Sequence, residues 1–215
     1  MNNEPTVYVV DDDDAVRNSL RFLIESTGFR VATFASSRGF LAGYDSDVPG
    51  CLVLDIRLPD SSGLDLQQQL VAEGIAVPVI IVTGHGDVPI AVRAMRTGAI
   101  DFIEKPYDDQ VLLDRIRQAV ELDIRNRRDR AQRQDILARL ALLTPREREV
   151  LDGVVSGFAN KQVAGDLGIS TKTVEAHRAH VMEKMRVESL AELVRLVQIA
   201  GVARDQSRFA VAGSR

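Results

Sequence analysis

Short, wholly apolar runs recur through the first half of this sequence, and each is followed by a polar turn and an amphipathic segment. The run Cys51–Leu54 is the clearest, because four consecutive apolar residues end directly at the carboxylate of Asp55. Runs of this length are typical of strands that are buried on both faces of a parallel sheet. Five strand-then-helix units in succession predict an α/β fold, a doubly wound five-stranded parallel sheet. We place the strands at 6–10, 29–34, 51–54, 78–82 and 100–103.

A long stretch without Gly or Pro, residues 108–143, follows this part of the chain. Both of its ends are amphipathic, so we predict one long or broken helix that leaves the first domain. A flexible charged linker over 125–135 is the alternative, because that segment is too polar to be packed. Four helices follow, and the first starts at the capping box of Thr144 and Glu147. The predicted parts are an α/β domain at 4–122, a helical linker at 123–139, a four-helix all-α domain at 140–201 and a tail at 202–215.

The two parts of the chain differ in charge. Residues 1–124 contain 20 acidic and 10 basic side chains, whereas the remaining residues contain 11 acidic and 17 basic ones. The basic part is a candidate for binding nucleic acid, although an excess of this size also fits an ordinary surface. A single Cys excludes an intramolecular disulfide framework, and neither a signal peptide nor a run of membrane-spanning length is visible. We therefore expect a cytoplasmic protein without a membrane partner.

Carboxylates follow two of the predicted strands at the point where each strand ends. Asp11 and Asp12 come after the first strand, and Asp55 comes after the third. In the usual strand order of this fold these two strands are neighbours, so the three carboxylates should meet at one edge of the sheet. Like charges at that distance favour a shared cation, and an open cluster of oxygen ligands suits Mg²⁺. A solvated acidic run is the alternative.

Two further strands end in residues that can bind an anionic oxygen. Thr83 and the amide of Gly84 follow the fourth strand, and Lys105 follows the fifth. Pro106 comes next, and a cis Lys105–Pro106 bond would explain a proline there. Each residue alone is more often structural than functional, but together with the carboxylates they form a specific pattern at one edge of the sheet.

Residues 4–122 resemble the receiver domains of bacterial two-component response regulators in four segments that carry these residues, VVDDDDAVR, CLVLDIRLPDSSG, VIIVTGHGD and DFIEKP. The resemblance implies that Asp55 accepts a phosphoryl group from the phosphohistidine of a sensor histidine kinase. It also implies that Mg²⁺ is the cofactor. The ligands of Mg²⁺ would be Asp12, Asp55 and the carbonyl of Arg57, with Asp11 acting through water.

The resemblance also assigns a switch. Thr83 and Lys105 would hold the phosphoryl group, and Phe102 would be the aromatic residue that rotates with Thr83, with an ordinary core role as the alternative for Phe102. An apolar row on the helix after the fourth strand either is half-buried core or forms a homodimer contact on phosphorylation, and we predict the homodimer contact. The row comprises Val88, Ala91, Val92 and Met95.

Residues 160–179 carry a helix-turn-helix pattern, in which Gly168 can adopt a positive φ in the turn and Ser170 caps the next helix. The wider region 140–201 resembles the LuxR/NarL-type DNA-binding domain, through LTPREREVL, GFANKQVAGDLGISTKTVEAHRAHVMEKM and SLAELVRLV. The resemblance makes Thr171–Met185 the recognition helix in the major groove of DNA. The residues that would contact DNA are Lys161, Thr171, Lys172, Thr173, Glu175, Ala176, Arg178, Ala179 and Lys184.

Both resemblances together identify the chain as a member of the FixJ subfamily of response regulators. They imply a transcription regulator that is activated by phosphorylation, dimerises, binds promoter DNA and acts with RNA polymerase. It would not be an enzyme beyond its own phosphoryl transfer and slow autodephosphorylation. One alternative is a Mg²⁺-dependent aspartyl-phosphate hydrolase of the haloacid-dehalogenase type, although Arg57 stands where such enzymes carry a second carboxylate. Another alternative is a constitutive DNA-binding protein with an inert receiver.

Overall fold

The computed structural model describes residues 4–84 and 87–201. The described residues form two compact units that divide between residues 128 and 129. Within these ranges no helix is both long enough and apolar enough to cross a membrane. The predicted tail at 202–215 lies outside the described residues.

The first unit contains a five-stranded parallel sheet with the strand order β2-β1-β3-β4-β5, which confirms the predicted α/β fold. The strands are β1 (Thr6–Val10), β2 (Arg30–Phe34), β3 (Gly50–Leu54), β4 (Val79–Thr83) and β5 (Asp101–Glu104). Helices connect them in the alternating order expected for parallel strands. The helices of this unit are α1 (Asp14–Glu25), α2 (Ser37–Gly43), α3 (Gly63–Ala72), α4 (Val88–Arg96) and the first part of α5 (Asp109–Ala141).

Helices cover both faces of the sheet, and this explains why the strands are apolar throughout. Side chains of α1 and α5 pack on one face, and side chains of α2, α3 and α4 pack on the other. The register of the sheet pairs Val10 of β1 with Leu54 of β3. The next residues on these two neighbouring strands, Asp11 and Asp55, therefore lie side by side at the carboxyl edge of the sheet.

The polar stretch after residue 124 is helical, so the flexible-linker alternative for 125–135 is wrong. The second unit adds four helices, α6 (Pro145–Val155), α7 (Asn160–Leu167), α8 (Thr171–Met185) and α9 (Leu190–Ala200). Their apolar side chains form two buried clusters. Leu193, Leu196 and Val197 of α9 lie in one of these clusters and are part of the core.

Candidate functional site

Two carboxylates are held at the carboxyl edge of the sheet by the hydrogen bonds of the strands. The backbone N–H of Asp55 donates to the carbonyl of Val10 at 2.8 Å, and that of Asp11 donates to the carbonyl of Phe34 at 3.2 Å. These bonds continue the ladders between β1, β2 and β3 by one residue. As a result, Asp11 and Asp55 are 3% and 7% exposed, which is unusual for charged side chains.

An ammonium group lies between the two carboxylates. The Nζ atom of Lys105 lies 2.7 Å from Oδ2 of Asp11 and 3.4 Å from Oδ1 of Asp55. The backbone N–H of Lys105 donates to the carbonyl of Thr83 at 2.9 Å, and the Lys105–Pro106 peptide bond is cis. Burial lowers the pKa of Lys105, but the hydrogen bond and the charge of Asp11, together with Asp55, outweigh it and raise this pKa above its usual value.

Burial also raises the pKa of Asp55, because the charged form of a carboxylate is poorly solvated in this position. The N–H of Arg57, which donates to Oδ2 of Asp55 at 2.6 Å, and the ammonium of Lys105 act in the opposite direction without cancelling the effect. A more basic carboxylate is a better nucleophile. Asp55 therefore combines nucleophilic character with two neighbouring groups that can bind negative charge.

The β1–α1 turn is fixed by contacts that sequence reasoning missed. Oδ1 of Asp11 accepts the N–H of Asp13 at 2.9 Å, and Asp13 in turn caps α1. The guanidinium of Arg17 donates to the carbonyl of Asp11 at 2.6 Å and forms an ion pair with Asp14. The available sequence signal was the i, i+3 spacing of Asp14 and Arg17 on a helix. These contacts leave Asp12 exposed to solvent.

The residues at this edge line an open pocket of about 300 Å³. Carboxylate and carbonyl oxygens supply donors of the type that Mg²⁺ prefers, so the donor chemistry fits that ion. The side chains are arranged around Lys105, and in the described part of the chain no three acidic, His or Cys side chains are grouped closely enough to hold an ion. An ion would therefore share Asp11 and Asp55 with the ammonium of Lys105. The pocket is lined by Asp11, Asp12, Asp13, Val16, Asp55, Arg57, Gly84 and Lys105.

The predicted switch residues lie on one face of the sheet. Thr83 ends β4 and is fully buried, and Phe102 on β5 is half-buried against the core cluster that also contains Ala94 of α4. The register pairs Phe102 with Ile81, and residues two apart on a strand face the same side, so Thr83 and Phe102 share a face. Thr83 and Phe102 therefore lie on the face of the sheet that α4 covers.

The apolar row of α4 is exposed. Val88, Val92 and Met95 keep 77%, 44% and 46% of their surface exposed, and Ala91 is half-buried. Three neighbouring apolar side chains on one helix face form a patch of the kind that marks an interaction surface. The alternative, half-buried core, describes Ala91 better than it describes the other three residues.

The second unit contains the predicted helix-turn-helix. Gly168 ends α7 in the left-handed conformation, with φ of 66°, and Ser170 caps α8 by accepting the N–H of Thr173 at 3.1 Å. Val163, Ala164 and Val174 are buried where α7 and α8 meet. This turn leaves the amino-terminal end of α8 free to face a ligand. The exposed residues there are Thr171, Lys172, Thr173, Glu175, Ala176 and Ala179, and Lys161 of α7 is exposed as well.

Two of the predicted DNA contacts have partners within the protein. Nζ of Lys184 lies 2.7 Å from Oε2 of Glu147 and 3.2 Å from the carbonyl of Leu142, so its ammonium ties α8 to the start of α6. The hydrogen bond from Lys184 and the backbone N–H of Thr144 lower the pKa of Glu147 to about 2. Arg178 is half-buried and donates to Oδ1 of Asn160 at 3.4 Å. The structure therefore gives Lys184 a structural role.

Two family models match the chain. The response regulator receiver domain matches residues 7–117, and the luxR family of bacterial regulatory proteins matches residues 141–197. Among characterised relatives, the transcriptional regulatory protein FixJ of Azorhizobium caulinodans is 50% identical over 92% of this chain and 93% of its own length.

Two solved structures are similar over nearly the whole chain. The response regulator StyR is 46% identical with a TM-score of 0.83, covering 91% of this chain and 98% of its own. Full-length FixJ from B. japonicum is 44% identical with a TM-score of 0.56, covering 92% of this chain and 97% of its own.

Proposed function

This chain belongs to the response-regulator family, as a FixJ-like regulator of transcription with a receiver domain and a LuxR-type DNA-binding domain, and we propose that Asp55 is its phosphorylated residue. Membership implies activation by phosphorylation, a kinase partner and promoter DNA as the target. The observation that supports Asp55 is its place at the end of β3, between the N–H of Arg57 and the ammonium of Lys105.

Asp55 reacts through Oδ1 in this proposal, because Oδ2 accepts the short hydrogen bond from Arg57 while Oδ1 has the longer contact with Lys105. Attack by Oδ1 forms the P–O bond of an acyl phosphate as the P–N bond of a kinase phosphohistidine breaks and imidazole leaves. Lys105 is held beside Oδ1 and neutralises charge on the phosphoryl oxygens, and the hydroxyl of Thr83 and the N–H of Gly84 donate hydrogen bonds to those oxygens. Slow autodephosphorylation by water would reverse the modification.

The residues that would hold Mg²⁺ are Asp11, Asp12, Asp55 and the carbonyl of Arg57, all of which line the same pocket. When bound there, Mg²⁺ supplies positive charge at the phosphoryl oxygens. Asp12 is exposed and Asp11 is bound to Lys105, so the ammonium offsets part of the negative charge of the pocket.

Dimerisation through α4 is the output that we propose for the receiver. A phosphoryl group on Asp55 adds negative charge and acceptor oxygens that attract Thr83. Because Thr83 and Phe102 share a face of the sheet, movement of Thr83 lets Phe102 repack and alters the support of α4. The exposed side chains of Val88, Val92 and Met95 would then pair with the same row of a second copy.

DNA binding by α8 in the major groove is the second part of the proposal. The exposed side chains at its amino-terminal end, with Lys161 of α7, are the proposed contacts, and two half-sites would serve a dimer. Binding to promoter DNA would occur in the cytoplasm and bring the protein to RNA polymerase. The receiver boundaries 4–122, linker 123–139 and DNA-binding boundaries 140–201 remain our proposal for the domains.

Labelling with a small acyl phosphate tests the proposal directly. Wild type and Asp55→Asn are incubated with acetyl phosphate and Mg²⁺, and the intact mass and the oligomeric state are read from the same samples. We expect one phosphoryl group and a shift to dimer for wild type, and neither for Asp55→Asn. Equal labelling of the two proteins would refute the assignment of Asp55.

The same samples separate the two alternative functions. Sustained turnover of small phosphoesters would indicate a hydrolase, whereas equal affinity of labelled and unlabelled protein for promoter DNA would indicate a constitutive DNA-binding protein. The position of Arg57 disfavours the hydrolase, because its side chain cannot act as the acid or base that such enzymes carry two residues after the nucleophile.

A further inference from the structure

The loop between Asp55 and α3 is fixed at its base. The N–H of Gly63 donates to the carbonyl of Ile56 at 2.8 Å, and Arg57 and Ser62 form an isolated antiparallel bridge. Gly63 is required there, because a Cβ atom would lie 2.2 Å from the carbonyl oxygen of Asp55. These contacts close the loop, but they leave the position of its tip, residues 58–61, undetermined.

A carboxylate fixes the tip. Oδ1 of Asp60 accepts the N–H of Ser37 at 3.1 Å, and Oδ2 accepts the N–H of Arg38 at 2.9 Å. The hydroxyls of Ser61 and Ser37 lie 2.7 Å apart and form a third hydrogen bond. The N–H of Arg38 is the main cause that lowers the pKa of Asp60, so the carboxylate is charged and bonded at neutral pH. The loop is therefore attached to the first turn of α2, more than twenty residues away in the sequence.

Ser36 already caps α2, since its hydroxyl accepts the N–H of Gly39 at 3.1 Å. The carboxylate of Asp60 accepts the N–H groups of the two preceding residues. Arg38 is exposed, so water could satisfy its N–H, whereas Ser37 is buried. Asp60 thus links the loop after β3 to the start of α2. The helix dipole of α2 favours the negative charge of Asp60.

The anchor on the other side of this link is rigid. Phe40 of α2 is fully buried and contacts the rings of Tyr8 and Phe34 on the sheet in edge-to-face geometry. A loop attached to α2 is thereby attached to β1 and β2. The segment that carries the N–H and the carbonyl of Arg57 is held at both its base and its tip.

We propose that Asp60 is a positioning residue for the phosphorylation site, which binds the start of α2 and so holds the loop in the conformation that presents Arg57 to Asp55 and to Mg²⁺. The inference rests on the proposed function of Asp55. Asp60 acts through Arg57 in this proposal, because Asp60 itself does not line the pocket.

The test compares Asp60→Ala and Asp60→Asn with Asp45→Ala in the full-length protein. Asp45 is a matched control, because it is also an exposed Asp that accepts a backbone N–H, that of Asp47 at 2.9 Å, but it lies outside the loop. Three quantities are measured: amide hydrogen exchange of residues 56–62, the dissociation constant of Mg²⁺ by calorimetry, and the rate of phosphorylation by acetyl phosphate at saturating Mg²⁺.

We expect faster exchange of the loop amides in Asp60→Ala, weaker Mg²⁺ binding, and phosphorylation slower by about 3- to 10-fold, because small displacements of positioned groups cost rate. Asp60→Asn keeps one acceptor oxygen and should fall between Asp60→Ala and wild type, while Asp45→Ala should match wild type. Exchange of the α1 and α5 amides should not change, which separates a local effect from general destabilisation.

Wild-type Mg²⁺ affinity and rate in Asp60→Ala would overturn the inference, and so would equal losses in Asp45→Ala. These outcomes are distinct from a failure of the proposed function, in which the wild-type protein itself is not labelled or Asp55→Asn is labelled equally. A protein that is labelled at Asp55 with the same rate in all Asp60 variants would keep the function and reject the role of Asp60.

Discussion

A buried ion pair at the opposite end of the sheet from Asp55 allows a quantitative prediction. Asp123 of α5 is fully buried, and its Oδ2 accepts the N–H of Gly50 at 3.0 Å and Nε of Arg127 at 2.6 Å. The same Arg127 donates to the carbonyl of Ser46 at 2.6 Å. Oδ1 of Asp123 has no hydrogen-bond partner among the residues that the structure describes. Arg127 therefore provides the main compensation for a carboxylate that water does not reach.

Replacing Arg127 by Ala should cost about 3 kcal/mol of the free energy of unfolding of the first unit. Breaking a buried pair by removing one partner costs ~3–5 kcal/mol, and the lower end applies because the Arg127 side chain keeps 27% of its surface exposed. Replacing Asp123 by Asn as well removes the buried charge. The double variant Asp123→Asn/Arg127→Ala should therefore be more stable than Arg127→Ala by about 1 kcal/mol or more.

Tyrosine emission is a specific assay for this prediction. The three tyrosines of the chain, Tyr8, Tyr44 and Tyr107, all belong to the first unit, and the sequence contains no Trp. Urea titrations followed at the tyrosine wavelength thus report unfolding of the receiver, separately from the helical signal of the DNA-binding unit. If the double variant is destabilised by the sum of the two single changes, Asp123 is not the uncompensated charge in Arg127→Ala, and the reasoning fails.

Two further predictions concern the DNA-binding unit and the α4 face. Glu147→Gln should destabilise the DNA-binding unit by about 2 kcal/mol at pH 7, because it weakens charged hydrogen bonds. The pKa of Glu147 is lowered from 4.5 to about 2. The contribution of the Glu147 carboxylate to stability is therefore complete above about pH 4.5 and disappears as the pH falls towards 2. Urea titrations followed by far-ultraviolet circular dichroism, with Glu183→Gln on exposed α8 surface as the control, check this, and a pH-independent difference would contradict it. Val92→Asp should remain monomeric when beryllofluoride and Mg²⁺ mimic phosphorylation, as measured by sedimentation. Phe22→Asp, at an exposed apolar side chain of α1, is the control and should still dimerise. Dimers of Val92→Asp would exclude the α4 face as the dimer contact.

The sheet and the site at its carboxyl edge were predictable because the signals are local and the geometry is general. Apolar runs mark the strands, and the parallel order brings their ends together, so Asp11, Asp55 and Lys105 meet without any pairwise information. Helix starts at Thr144 and Ser170 were equally accessible, since capping residues act within three positions. The predicted ends of the elements were accurate only to about one residue. For example, β5 begins at 101 and not at 100.

Contacts between side chains distant in sequence were not predictable in this way. The bonds from Asp60 to the start of α2 join segments with no shared pattern, and Asp123 reads as a polar position of a linker helix although it faces Gly50. Lys184 is of the residue type expected for a DNA contact, but its ammonium donates to Oε2 of Glu147, the same oxygen that accepts the capping-box N–H of Thr144. In each case the partner is a backbone N–H or a carboxylate oxygen, which the sequence does not distinguish from others of its kind.

The unequal anchoring of the helices indicates where a change at Asp55 can be transmitted. Within the first unit α5 buries Leu112, Ile116 and Ala119 completely, and the carboxylate of Asp123 on α5 accepts the N–H of Gly50 at the start of β3. Moving α5 would therefore expose core and break a buried hydrogen bond. By contrast, α4 buries only Ala94 among its residues, all of which are described. Polar contacts between α4 and α3 include a buried hydrogen bond from Gln67 to the carbonyl of Ala94 at 3.0 Å and an exposed ion pair between Arg93 and Asp65 at 3.3 Å. We therefore expect a change at Thr83 and Phe102 to shift α4 more easily than α5, and this difference favours the α4 face as the surface that reports the state of Asp55.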